Sequence, residues 1–214
     1  MLRNTNYNEL ITILLTTGLT LISLAKLVAP KRFNELIIIL GNVKYLNIYS
    51  REKKLCNGFD FLLFLNLIIS LSVFIAISAE NYTNASIINT AFILKLIAGI
   101  GLFIIIKTIV EYFISVVIDN YTLHKNYLFQ KISYKNYMGI LLLPINALLV
   151  YGLSGSLKTS YITAITLLII NLIGIITSYK THQDVIKQNL FYFILYLCAL
   201  EIAPYIILCK VFIT

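Results

Sequence analysis

The chain has 214 residues, 59% of them hydrophobic and 12% charged, with a formal net charge of +8 at pH 7. Soluble domains run about 45–50% apolar and about 25% charged, whereas the mean hydropathy here is +0.89. This composition excludes a soluble enzyme, a scaffold held by disulfides, and a disordered tail.

In chain order the apolar residues form long continuous runs. A membrane-crossing helix needs about 20 of them to cover about 30 Å of hydrocarbon. Six runs meet or approach that length, at 10–29, 59–78, 87–106, 138–153, 161–178 and 190–213. The expected fold is therefore an all-α polytopic membrane bundle in a single domain. The third helix is expected to continue to Ile118, and the fourth span is short and contains Pro144. Strict alternation, the mark of a β-barrel, is missing. The first run is longer than a signal-peptide core and no A-x-A site follows it, so it reads as a retained span.

Between the first two runs, Phe33, Leu36, Ile37, Leu40 and Val43 recur near helical spacing. That pattern predicts an amphipathic helix in the membrane interface, or a re-entrant segment turning at Gly41 and Asn42. Pro30 suits the helix start, where a missing N–H costs nothing. Past Asp119 and Asn120, a loop is expected to carry Tyr121, Tyr127, Phe129, Tyr134 and Tyr137 among Lys125, Lys131 and Lys135. Aromatic rings beside basic residues anchor proteins at the interface. The same surface, with Tyr127, Phe129 and Lys131 at its centre, is also a candidate docking site for a membrane or cytoplasmic protein.

Lys and Arg gather on the cytoplasmic side of short loops. Assigning loops alternately puts thirteen basic residues on one side and three (Arg3, Lys158, Lys210) on the other, with Lys95 inside a span. This alternation predicts six spans with both termini outside. The positive charge is then a topology signal that also favours anionic membrane lipids; no basic face suited to nucleic acid is evident.

Two ionisable residues lie well inside the expected spans. Lys95 sits about 12 Å and Glu201 about 18 Å from the outer face at 1.5 Å per residue. A charge alone at mid-membrane costs about 2.5–3.5 kcal/mol, so mutual pairing is the cheapest arrangement. Pro204 frees the carbonyl of Leu200, and Tyr205 and Cys198 flank Glu201 at one helical turn on either side. Glu201, Lys95 and Tyr205 are thus candidates for binding an ion or a lipid headgroup, or for locking the bundle. Asn66, Asn146 and Asn171 also fall inside spans and must face partners, as binding groups or as structural glue. Thr12, Thr16, Thr20 and Ser23 form a polar stripe, and Gly99 and Gly174 are expected to mark close packing.

Nothing in the sequence calls for a cofactor or a metal. Cys56, Cys198 and Cys209 form no C-x-x-C pair, and His124 and His182 are far apart. No metalloprotease, phosphate-loop or dinucleotide fingerprint is present, so an enzyme is the weaker reading.

Three stretches carry a resemblance: Pro30 to Phe33 (PKRF), Asn126 to Lys131 (NYLFQK), and Phe191 to Pro204 (FYFILYLCALEIAP). With them the chain resembles an integral-membrane family of Bacteroidota catalogued as domain of unknown function 4271. The resemblance implies the inner membrane and the cell envelope, and it brings no established catalytic residues to carry over. The expected role is a non-catalytic subunit or scaffold of an envelope assembly handling lipid-linked glycans or secretion. The alternative is a small transporter or lipid carrier using the Glu201 and Lys95 site.

Overall fold

The structure, a computed structural model, describes residues 5–40, 44–49, 58–83, 89–117, 121–152 and 157–181. The described residues are all-α: α1 (Thr5–Val28), α2 (Pro30–Ile37), α3 (Lys44–Tyr49), α4 (Gly58–Thr83), α5 (Thr90–Val117), α6 (Tyr121–Ala147) and α7 (Leu157–Thr181). A π-helical turn, Leu148–Gly152, follows α6 directly. Four segments are long and apolar enough to cross a membrane: Glu9–Val28, Gly58–Tyr82, Thr90–Val110 and Leu157–Gly174. By length and composition they mark a membrane protein. The expected sixth span, with Glu201, Tyr205, Cys198 and Pro204, lies outside the described residues, as do Gly41 and Asn42.

Helix α4 is the centre of the bundle. Ala25 of α1 packs with Phe59 and Leu63 near the start of α4, while Ile11 and Leu15 meet Val73 and Ile77 near its end. The two helices are therefore antiparallel. Helix α6 runs parallel to α4. Phe129 belongs to the same cluster as Phe59, Gly139 lies against Leu67, and Asn146 bonds to Ser70. At Gly139 the approach is so close that a Cβ would stand 2.8 Å from the Leu67 Cα. Only glycine permits that contact. Helix α7 closes the other side of α6, antiparallel to it, with Leu142 and Leu149 against Ala164 and Leu167 and Tyr134 on Gly174.

Several expectations change. Residues 121–137 form the first half of α6 and not a loop. Their lysines and asparagines depress the hydropathy, but one face of the helix packs inward through Phe129, Ser133 and Tyr134. Helix α5 begins at Thr90, later than 87, and runs on to Val117 much as its apolar run predicts. Gly99 faces open space, with nothing within 4 Å of an added Cβ, so it marks no close packing among the described residues. Pro30 does start α2, which ends at Ile37, short of Val43.

Candidate functional site

One end of the bundle holds a buried ion pair. Phe33 and Leu36 turn one face of α2 into the core, and Arg32 goes in with them. Its Nη2 donates to Asp60 Oδ2 at 2.9 Å, with the two side chains only 7% and 8% exposed. Asp60 lies in the first turn of α4, where the free N–H groups and the helix dipole favour a carboxylate. Arg32 Nε also donates to the Tyr45 hydroxyl of α3 at 3.3 Å.

Three rings enclose the guanidinium. Its carbon lies 5.0 Å from the ring centre of Phe59, 5.2 Å from Tyr49 and 5.7 Å from Phe129. All fall within the range of cation–π attraction. Tyr45 stacks on Phe129 at 5.8 Å and 22°, and tilts against Tyr49 at 5.1 Å. Burial pushes the Tyr45 phenol up to about 12. The Arg32 charge and the hydrogen bonds of Arg32 and Ser133 act the other way, and Asp60 reinforces the rise. The cage thus joins α2, α3, α4 and α6 around a neutral phenol and a matched pair of charges. It has the chemistry of a latch: every charge is met, and no nucleophile is exposed.

A second polar cluster lies deeper. Asn66, Ser70 and Asn146 are all buried at the junction of α1, α4 and α6. Ser70 Oγ donates weakly to Asn66 Oδ1 at 3.5 Å, and Asn146 Nδ2 donates to the Ser70 carbonyl at 2.8 Å. A Cβ on Gly18 would stand 3.1 Å from Asn66 Oδ1, so α1 comes close here as well. Asn66 Nδ2 and Asn146 Oδ1 have no partner among the described residues.

Of the residues singled out in the sequence, Asn66 and Asn146 are brought together. Asn171 stands apart, half-buried on α7. Lys95 is exposed on α5, while Glu201 and Tyr205 lie outside the described residues. Phe129 turns inward into the cage with 5% exposure, so its ring serves the core. Lys131 is half-buried, and Tyr127 is on α6 with its side chain outside the described residues. The threonine stripe of α1 largely bonds back to its own helix, as Thr16 does to the Ile13 carbonyl and Thr20 to the Thr17 carbonyl. Thr12 reaches across to the Tyr151 hydroxyl.

Sequence reasoning missed the cage. In the sequence Arg32 falls among the basic residues that set topology, although it shares a face with Phe33 and Leu36. Asp60 is the one acidic residue between 58 and 79, and a carboxylate at the mouth of an apolar run calls for a cation. Those two signals together point to the pair. Among the described residues no three His, Cys, Asp or Glu side chains gather as a metal site.

No curated protein and no solved structure matches the chain. A family model described as a domain of unknown function (DUF4271) matches residues 11–212. That match takes in every residue of the latch and of the amide cluster, and the chain belongs to the DUF4271 family.

Proposed function

We propose that the chain is a multi-pass inner-membrane protein, with six spans and both termini outside, that serves as a non-catalytic subunit or scaffold of a cell-envelope assembly. The observation that carries this reading is α5. Its apolar window, within Thr90–Val110, is long enough to cross a membrane, yet only 11% of it is buried. Leu94, Leu102, Ile105, Ile106 and Ile109 point away from the described bundle, and Lys95 is exposed among them. A helix with that much open apolar surface and one charge suits contact with lipid on part of its face and with another membrane component on the rest. The latch supports the same reading, because it fixes α2 and α3 rigidly at the end of the bundle and offers no reacting group. Tyr127 and Lys131 are the proposed contribution of α6 to partner docking.

The test is purification from native membranes in mild detergent, followed by mass spectrometry of whatever stays bound. The expected outcome is a stoichiometric protein partner, lost when Lys95 is changed to Ala or when Tyr127 and Lys131 are both changed to Ala. A protein that is fully active alone in liposomes would overturn the subunit reading.

The alternative, a small transporter or lipid carrier built on Glu201, Lys95 and Tyr205, draws support from Lys95, which has no ion-pair partner among the described residues. It predicts that Glu201→Gln abolishes activity at unchanged abundance. Wild-type behaviour of that variant would remove it.

A further inference from the structure

We propose that the junction of α1, α4 and α6 is a binding site for a single neutral hydroxyl-type molecule, water, held between Asn66 and Asn146. The argument starts from the donors and acceptors left over. Asn66 uses its oxygen on Ser70 Oγ and keeps its NH2 group unpaired among the described residues. Asn146 uses its NH2 group on the Ser70 carbonyl and keeps its oxygen unpaired among them. Both side chains are 0% exposed. A buried donor or acceptor left unmade costs about 1–3 kcal/mol, and buried polar groups are met by protein or by ordered water.

The leftover pair selects the chemistry of what completes it. A cation would meet the hydrogens of the Asn66 amide, and an anion would meet the oxygen of Asn146. The fitting group accepts from one side and donates to the other, as a hydroxyl does. The backbone beside the site adds a second observation. Pro144 lies inside α6 and has no N–H, so the Ile140 carbonyl loses its helical donor. Two residues after Asn146 the helix changes to the π-helical turn Leu148–Gly152. Single π turns are frequent at functional sites, and irregular backbone in an apolar bundle is tolerated where protein or water satisfies it. Ser70, between the two amides, fixes their spacing from both its hydroxyl and its carbonyl.

Radiolytic water footprinting of the full chain in detergent tests this directly. Leu143 is the reporter, because its Cδ1 and Asn66 Oδ1 lie 2.5 and 3.1 Å from the same point above Gly18. Its side chain is 4% exposed, so bulk solvent does not label it. The expected result is hydroxylation of Leu143 well above that of Leu63, which is 0% exposed. In Asn66→Leu that labelling should fall to the level of Leu63, with Tm lowered by about 2–4 °C, the usual effect of one lost hydrogen bond in a chain of this size. A Leu143 as inert as Leu63 in the wild type overturns the proposal. So does labelling that persists in Asn66→Leu. If that variant does not fold, the wild-type comparison of the two leucines decides alone.

Discussion

The two buried polar clusters lie on the same pair of parallel helices and handle burial in opposite ways. At the end of the bundle, Arg32 and Asp60 are full charges, yet each is matched: a carboxylate and three rings for the guanidinium, and a helix N-terminus for the carboxylate. At the junction around Ser70, the amides carry no charge and leave one donor group and one acceptor unmatched among the described residues. A charge in an apolar interior must be paired almost completely or it will not stay charged. An amide costs less to leave half-satisfied, and so can hold something exchangeable. Full pairing and spare hydrogen-bonding capacity are therefore separated along one helix pair, with the latch at its end and the half-satisfied amides deeper.

The largest expected effect breaks the latch. Asp60→Ala takes the carboxylate away from the buried Arg32 guanidinium, and should cost about 3–5 kcal/mol of stability, read as a lower Tm or faster detergent inactivation. Replacing the pair together, Arg32→Met with Asp60→Leu, should recover most of that loss, since apolar side chains of similar size often match a buried pair. If the double variant is as unstable as Asp60→Ala, the rings and not the charges hold the cage.

Next in size is the helix contact between the clusters. Gly139→Ala drives a Cβ into the Leu67 backbone, which cannot move aside as a side chain can, and should cost about 1–3 kcal/mol. Gly99→Ala, in open space on α5, should be neutral or stabilise by up to about 1 kcal/mol through helix propensity. Equal effects would deny that α4 and α6 are pressed together.

A smaller effect belongs to Tyr45. Tyr45→Phe removes one hydrogen bond from Arg32 and should cost about 1 kcal/mol at neutral pH. Because the folded state raises this phenol to about 12 from the ordinary value near 10, folding favours its neutral form. That contribution is fully present below pH 10 and is lost as pH rises through 12. A pH series of Tm should show the decline in the wild type and a shallower one in Tyr45→Phe. The smallest effect is that of Lys95→Gln, on an exposed face, which should change stability by no more than about 0.5 kcal/mol while altering what co-purifies.

The same contrast explains what could be read from the sequence. Helix α4 was legible because hydropathy measures transfer into an apolar phase, and Phe59 to Ser78 is apolar nearly throughout. The first half of α6 was not legible by that measure. Lys125, Lys131, Lys135 and Asn136 make it polar on average, and its helix is held by one inward face that only the bundle supplies. Asn66 and Asn146 were recognisable as buried amides needing partners, but nothing in their spacing could show that both would find Ser70. Arg32 was hidden by its neighbours: six basic residues from Lys31 to Lys54 read as one charged loop, and the turn of α2 that sends one of them inward depends on Phe33 and Leu36.

The latch also has a timetable. Arg32 pairs with a residue 28 positions later and touches Tyr45 at a separation of 13, so these parts can meet while the chain is still short. Phe129 arrives only after α4 and α5 have been made. Chains are folded as they are synthesised, N-terminal parts first. Until α6 emerges, the guanidinium and carboxylate would sit on an open side, wetted and loosely held. The third ring can therefore close over the guanidinium only once α6 has packed beside α4.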